Sequence, residues 1–288
     1  MSGNVTFDEL MNAPVSDLPV KTIVDAYFDG TRFMHDFSRD VMLPVLRTLL
    51  SPTAQEIAAR DTYYKMCLLL RSALVLNTLE HFQSVASLTR SLFELWLDLQ
   101  ILAQDQTGDA VRSYHEFPEI ERYRVAEQLV NFADVSPNML KGDISVQRAF
   151  LADPQRKQRI DAARGTTSSG KRGRYPEHWS RQSVRARAIT LGQEAMYLEA
   201  YPYLSWHIHA SAAGTSGMDR GGIENFYGFC HSLIQRIFVD ATAVCAKLTK
   251  LSQLEYFDRW LLSIQLKTGE IILQEQIRML EAAKAGQL

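Results

Sequence analysis

The sequence predicts an all-α protein, a multi-helix bundle with a central buried helix over about residues 84–103. Apolar residues recur at helical spacing along most of the chain, and prolines and glycines separate the periodic segments. No segment alternates apolar and polar residues for long enough to build a sheet. The longest apolar runs fall well short of the roughly 20 residues that span a bilayer, so we expect no membrane partner.

Composition is that of a globular chain, with 288 residues, 46% of them hydrophobic and 22% charged. We expect a flexible N-terminal arm over residues 1–18, a helical bundle over 19–250, and C-terminal helices over 251–288 that pack on the bundle. The cysteines are few and widely spaced, which indicates a reducing compartment and predicts a cytoplasmic protein. Cys67 and Cys245 lie in apolar runs and are expected to be small core residues.

Helix boundaries in the first part of the bundle are predicted from prolines and capping residues. The pattern turns helical at Pro19, and Pro44 interrupts or kinks that helix. Ser51 stands before Pro52, a pairing that predicts the start of a helix reaching about Leu79.

A break at residues 81–83 precedes the central helix, and Thr107–Gly108 follows it. Pro118 is expected to join two helices rather than lie inside one. Ser136 and Asp153 each precede a proline, so each predicts a further helix start.

The remaining boundaries come from glycine-rich and proline-containing segments. Residues 165–176 are rich in glycine, serine and basic residues and predict a loop, after which helix resumes past Ser183. We expect this helix to be interrupted at Pro202. Four glycines within residues 214–222 predict another loop, followed by a long apolar helix over about 223–248.

The central helix carries an arginine and a glutamate among apolar neighbours. At 100° per residue, Glu94 lies within about 40° of Arg90, and leucines occupy the opposite side. A helix that is apolar on both faces lies inside a bundle, so we expect a buried Arg90–Glu94 pair. One carboxylate cannot satisfy the five donors of a guanidinium, which predicts a further tyrosine, serine, histidine or ligand anion. The pair is either structural, fixing helix register, or part of a functional pocket.

A second polar segment, from Tyr201 to His209, holds candidate catalytic and binding groups. Tyr203 and His207 share a helical face, and so do Ser205 and His209. The two histidines lie about 200° apart on a helix and cannot both face one metal ion there, although in an extended loop they could. No cysteine, aspartate or glutamate stands nearby at ligand spacing, so we expect no metal site, and we predict no cofactor. Spacing permits a Ser–His hydrogen bond, but no nucleophile elbow supports a hydrolase.

Three short sequence segments resemble those of a known family. The chain resembles the bacterial domain-of-unknown-function family 5677 in three short segments: residues 88–94, which include Arg90 and Glu94, residues 177–180, and residues 201–207. The resemblance covers about residues 60–235. No activity is implied by this family.

The resemblance implies that Arg90 and Glu94 meet Trp179, Tyr203 and Ser205 in one place, together with a histidine. Ile208 occupies the position of that histidine, so His207 and His209 both stay open as candidates. A looser likeness to helical HEPN ribonucleases is weak, because no arginine precedes either histidine at the required spacing.

Residues 141–187 carry a net charge of +8 in a chain whose net charge is −2. Such asymmetry favours contact with RNA or another phosphate-bearing ligand. The residues expected to form this patch are Lys171, Arg172, Arg174, Arg181, Arg185 and Arg187. The alternative is a solvated surface loop. Residues 165–172 approach a phosphate-loop pattern, but arginine replaces the magnesium-binding hydroxyl, which excludes that motif.

Two functions follow from these patterns. The first is a non-catalytic binding or regulatory module whose polar cluster orders the bundle. The alternative is a metal-independent RNA- or nucleotide-directed enzyme of defence or toxin type. In that enzyme Arg90 holds an anion, Glu94 and Ser205 assist, and His207 or His209 acts as acid or base.

Overall fold

A computed structural model describes residues 23–76, 78–136, 144–164, 173–208 and 219–250, together with residues 273, 277, 281 and 284. Within these ranges the chain is helical and contains no strand, so the predicted all-α class is confirmed. The chain divides into two compact units: Met1–Gln104 with Arg187–Leu288, and Asp105–Ala186.

The first unit contains most of the helices. They are α1 (Ile23–Phe37), a π-helical turn (Ser38–Met42), α2 (Leu43–Arg47), α3 (Ala54–Val75), a 3₁₀ turn (Leu79–His81) and α4 (Phe82–Gln104). After the second unit the chain continues with α8 (Val184–Thr190), within which the two units divide, α9 (Glu194–Ile208) and α10 (Arg220–Leu248).

Helix α4 is the centre of the first unit, as the sequence predicts. It packs against α3, α9 and α10, and α10 packs in turn against α1. Phe93, Trp96 and Leu97 are fully buried, and the partner helices contribute Tyr63 and Phe238 to the same core. Burial of these aromatic and aliphatic side chains is the main term that holds the helices together.

The cysteines lie in this core as free thiols, as predicted for Cys67 and Cys245. Burial raises the pKa of each of these two thiols to about 12, so both are protonated and unreactive at neutral pH.

The α-helix is interrupted immediately before Pro44, as predicted, because a π-helical turn separates α1 from α2. The π-helical turn immediately before α2 widens the backbone where the proline ring would otherwise meet a carbonyl. The predicted start at Ser51 is displaced, because Thr53 is the N-cap of α3. Thr53 Oγ1 accepts from the backbone N–H of Glu56, whose carboxylate accepts from the N–H of Thr53.

The predictions for Pro118 and Pro202 are wrong, since both prolines lie inside continuous helices. A proline within a helix costs one backbone hydrogen bond and some steric strain, about 3 kcal/mol. In the helix that holds Pro118, residues on both sides of the proline are buried, with Val111 before it and Ile120 after it. Tertiary packing therefore outweighs the local penalty.

The second unit consists of α5 (Asp109–Val135), α6 (Ser145–Leu151) and α7 (Pro154–Arg164), with an irregular segment at 173–183. Its core is Ile120, Tyr123 and Ile160, against which partly buried aromatic and aliphatic side chains pack. Gly108 precedes α5 with a φ of 81°, a left-handed conformation that glycine adopts without strain.

Capping residues begin two more helices. Asp153 Oδ1 accepts from the backbone N–H groups of Gln155 and Arg156, which confirms the predicted start of α7. Asp219 caps α10 by accepting from Gly222 N at 2.7 Å, so the last part of the predicted 214–222 loop is helical.

Ser136 is the residue after α5, and the helix predicted to start there would begin at residue 137, which lies outside the described residues. Residues 1–18, 165–172 and 214–218 lie outside the described residues, as do all but four residues of 251–288.

Candidate functional site

Three side chains from two helices of the first unit form a polar cluster. Arg90 and Glu94 lie one turn apart on α4, and Tyr201 reaches them from α9. Arg90 Nε donates to Glu94 Oε1 at 3.1 Å and to the Tyr201 hydroxyl at 2.9 Å. The same hydroxyl donates to Glu94 Oε1 at 2.7 Å, which closes a triangle of hydrogen bonds.

The Arg90–Glu94 contact expected from the four-residue spacing is present, but the expected depth is wrong. The side chains of Arg90 and Glu94 are 24% and 33% exposed, so the pair lies at the edge of the core. Helix α4 is buried along most of its circumference, and the polar pair occupies the side where cover is incomplete.

Tyr201 is held in place by aromatic contacts. Its ring stacks on that of Tyr197 at a centroid distance of 5.0 Å and meets Phe93 at 5.8 Å. The guanidinium carbon of Arg90 lies 4.9 Å from the centre of the Tyr201 ring, a cation–π contact. Burial and the Glu94 carboxylate raise the pKa of Tyr201 well above its usual value, so the phenol remains a hydrogen-bond donor.

The remaining donors of Arg90 are its two terminal amino groups. Both of its described hydrogen bonds use Nε, and within the described residues neither terminal amino group makes a hydrogen bond. Glu94 Oε2 likewise has no described partner. The cluster therefore orients a partly exposed guanidinium beside a carboxylate oxygen and leaves both able to bind a further group.

A second ion pair joins α8 to α4; it is buried, and the sequence patterns did not predict it. Arg187 Nη1 donates to Asp98 Oδ1 and, at 3.4 Å, to the backbone carbonyl of Glu94. The side chains of Arg187 and Asp98 are 2% and 9% exposed. The assignment of Arg187 to a basic surface patch was therefore wrong.

One signal in the sequence indicates this pair. Asp98 lies between Leu97 and Leu99 in the most apolar part of the central helix, and a carboxylate there requires a cationic partner. The sequence does not identify which of many arginines supplies it.

The other candidates on α9 do not join the cluster. Ser205 donates to the carbonyl of Tyr201 at 2.8 Å, a bond within its own helix, and Tyr203 is 47% exposed beside Trp206. The structure thus places Tyr201 where the family resemblance implies Tyr203. The reason is that Tyr201, and not Tyr203, lies on the helix face directed at α4.

His207 lies among aromatic rings, with Phe82 and Phe226 at centroid distances of 5.4 and 4.4 Å. Its Nδ1 is shielded from solvent and has no hydrogen-bond partner in the described ranges, and burial lowers its pKa. His209 lies outside the described residues.

Trp179 belongs to the second unit. Its ring meets Tyr114 at 5.6 Å and His178 at 5.3 Å. Of the predicted basic patch, Arg174, Arg181 and Arg185 are exposed, and Arg181 donates to the carbonyl of Ala163. Lys171 and Arg172 lie outside the described residues.

Part of the positive charge of residues 141–187 is neutralised by acidic side chains of α5. Arg156 and Arg159 both bind Glu119, and Arg164 pairs with Glu127. The uncompensated positive charge of this segment in the folded unit is therefore smaller than the net charge of +8 counted from its sequence alone. This local neutralisation weakens the argument for a phosphate-binding surface.

No group of three histidine, cysteine, aspartate or glutamate side chains in the described part of the chain is placed to hold a metal ion. Among the same residues, no helix combines the length and apolar character needed to cross a membrane.

Comparison with known proteins identifies a family. A family model described as "Family of unknown function (DUF5677)" matches residues 56–223, close to the range expected from the sequence motifs. No curated protein and no solved structure matches the chain. The matched range includes both ion pairs of α4 and the whole of α9. Because it spans more than half of the sequence, the chain belongs to the family of unknown function DUF5677.

Proposed function

We propose that this chain is a non-catalytic binding module in which Arg90 receives an anionic group of a small ligand or partner. One observation carries the proposal: the Nε of Arg90 is held by Glu94 and Tyr201, whereas its terminal amino groups have no partner in the described residues. A guanidinium fixed in this way loses little side-chain entropy on binding, which favours recognition of a phosphate or carboxylate.

The ligand's chemistry follows from the groups that line the cluster. The terminal amino groups of Arg90 match two oxygens of one phosphate or carboxylate in a bidentate contact. Glu94 lies one turn away on the same helix, and its Oε2 is able to accept a hydrogen bond from a ligand. A ligand that carries an N–H or O–H donor near its anion therefore satisfies both residues. A simple anion satisfies Arg90 alone and is repelled by Glu94.

A binding role fits this geometry better than catalysis. The hydroxyl of Ser205 is committed to a backbone carbonyl, so it is not paired with a base. Tyr201 has a raised pKa and serves as a donor, which makes it a poor general base at neutral pH. No described contact joins His207 to Arg90 or Glu94.

Titration calorimetry with adenosine 5′-monophosphate, inorganic phosphate and a ten-nucleotide uridine RNA tests the proposal. We expect the nucleotide to bind more tightly than inorganic phosphate, because it carries hydroxyl and amino donors beside its anion. Arg90→Gln is expected to weaken binding about tenfold or more, the size of a lost charged hydrogen bond.

Arg220→Gln is the matched control. Arg220 pairs with Glu224 at the same four-residue spacing, but its side chain is 86% exposed. Binding should be unchanged in this variant. Equal weakening in both variants, or no binding of any of the three probes, would overturn the proposal. Metal-independent cleavage of the RNA that disappears in Arg90→Gln would instead establish an enzyme.

A further inference from the structure

The second unit contains a cavity of about 310 Å³ between α5 and α6. Its walls are mainly aliphatic and aromatic, and they include Val125, Leu129, Val146 and Phe150. Val125 and Val146 are 47% and 63% exposed, so the cavity is open to solvent. An exposed apolar concavity of this kind is typical of a binding surface rather than of a packing defect.

One charged group at this cavity lacks a counter-charge. Of the three arginines on α5, Arg112 pairs with Asp109, and Arg124 pairs with Glu121. Arg122 makes no ion pair with any described residue. Its guanidinium carbon instead lies 4.6 Å from the centre of the Phe150 ring. The aromatic contact holds a cation beside the apolar wall.

We infer that this cavity binds a small amphipathic anion, an apolar body that carries one carboxylate. The apolar body removes the exposed side chains of Val125 and Val146 from water, and the carboxylate pairs with Arg122. Glu121 also lines the cavity, but Arg124 Nη2 lies 2.5 Å from its Oε2 and offsets its charge.

The volume favours a small molecule over a peptide. About 310 Å³ lies at the lower end of the range for small-molecule sites, roughly 300 to 1,000 Å³. A docked peptide helix would instead need a groove with anchors over several turns. The described walls of this cavity span two turns of α5, from Glu121 to Leu129, and little more than one of α6.

Octanoate and its neutral analogue octanamide are the probes, with binding measured by calorimetry and by methyl NMR of the intact protein. We expect octanoate to bind with a dissociation constant of about 1 mM, as is usual for so small a ligand. Its binding should shift the methyl signals of Val125, Leu129 and Val146. Octanamide should bind about tenfold more weakly, because it cannot form the ion pair.

Two pairs of variants separate the charge from the cavity. Arg122→Gln should reduce octanoate affinity to that of octanamide, whereas Arg112→Gln should leave it unchanged. Val146→Trp fills the cavity and should abolish binding of both probes. Val135→Trp, at an exposed position outside the cavity, should bind like the original protein.

These substitutions are at exposed side chains, and unchanged melting temperatures would show that the variants fold. Equal affinities for octanoate and octanamide would overturn the inference. So would an equal loss in Arg112→Gln and Arg122→Gln, or the absence of saturable binding below the concentration at which octanoate forms micelles. None of these outcomes bears on Arg90, which belongs to the other unit.

Discussion

Arg187 of α8 forms a buried ion pair with Asp98 of the central helix α4, and it also donates to the carbonyl of Glu94, one turn from Asp98. Such a pair adds little net stability relative to apolar residues, because desolvation of both charges offsets their attraction. Removal of one partner is different, since it leaves the other charge buried and unpaired.

Arg187→Ala is therefore expected to lower the free energy of unfolding by about 3–5 kcal/mol. Urea denaturation followed by circular dichroism measures the change. Arg112→Ala removes an ion pair whose two side chains are each 66% exposed, and should cost less than about 1 kcal/mol. Similar losses in the two variants would contradict the burial of Arg187. The double variant Arg187→Met/Asp98→Leu should recover much of the lost stability.

Tyr201→Phe tests the hydrogen-bond triangle without removing the aromatic ring. The variant keeps the stacking on Tyr197 and the cation–π contact, but loses the hydroxyl that joins Arg90 to Glu94. We expect the free energy of unfolding to fall by about 1–2 kcal/mol, the value for charged hydrogen bonds in a half-buried site. Tyr203→Phe, at an exposed position, should change stability by less than about 0.5 kcal/mol. If both variants have the same stability, the triangle does not contribute.

Because His231 is buried, we expect the free energy of unfolding to depend on pH. His231 lies on α10, where it is fully buried, and its Nδ1 lies 3.1 Å from Thr31 Oγ1 of α1. The Thr31 hydroxyl donates to the carbonyl of Tyr27, so Nδ1 must carry the proton, and Nε2 is left unprotonated with no described partner. Burial lowers the pKa of His231 from 6.5 to about 4.

The sign follows from proton binding in the two states. Between pH 6.5 and 4 the unfolded chain binds the proton and the folded chain does not, so stability falls as the pH is lowered through this window. The loss attributable to His231 amounts to about 3 kcal/mol and levels off below pH 4. Urea denaturation at several pH values should show a reduced slope in His231→Gln. The exposed His115 offers a control, and an equal change in slope for His115→Gln would refute the assignment.

The cap of α3 distinguishes two positions that are close in sequence. Thr53→Ala breaks the capping box and should lower the free energy of unfolding by about 1 kcal/mol. Ser51→Ala, at the predicted position, should change it by less than about 0.5 kcal/mol. Thermal unfolding of the two variants measures the difference. A larger effect at Ser51 would contradict the assignment of Thr53 as the N-cap and support Ser51 instead.

The sequence predicted local features well where one interaction dominates. Asp153 before a proline marked the start of α7, because the capping oxygen and the fixed proline φ act within one turn. Pro118 and Pro202 were misleading for the opposite reason. Their cost is local, but the burial that outweighs it involves residues remote along the chain.

The same contrast between local and long-range interactions explains which features of the candidate site were predicted. Four-residue spacing is sufficient to bring Arg90 to Glu94, but it did not show how deeply the pair lies, because depth depends on which neighbouring helices cover that side of α4. The segment 201–209 was recognised as polar and aromatic, but the choice of Tyr201 over Tyr203 depends on the rotation of α9 about its own axis.

By itself, therefore, the sequence determined the all-helical class, the central helix, the contact between Arg90 and Glu94, and the family. These features follow from hydrophobic periodicity and short residue spacing, because spacing along the sequence fixes the positions of side chains around a helix. Tertiary structure alone decided that Arg187 is buried against Asp98, that Tyr201 completes the cluster, and that acidic residues of α5 pair with arginines of the basic segment. Each of these pairs joins residues at least 37 positions apart, and only the packing of helices brings such residues together.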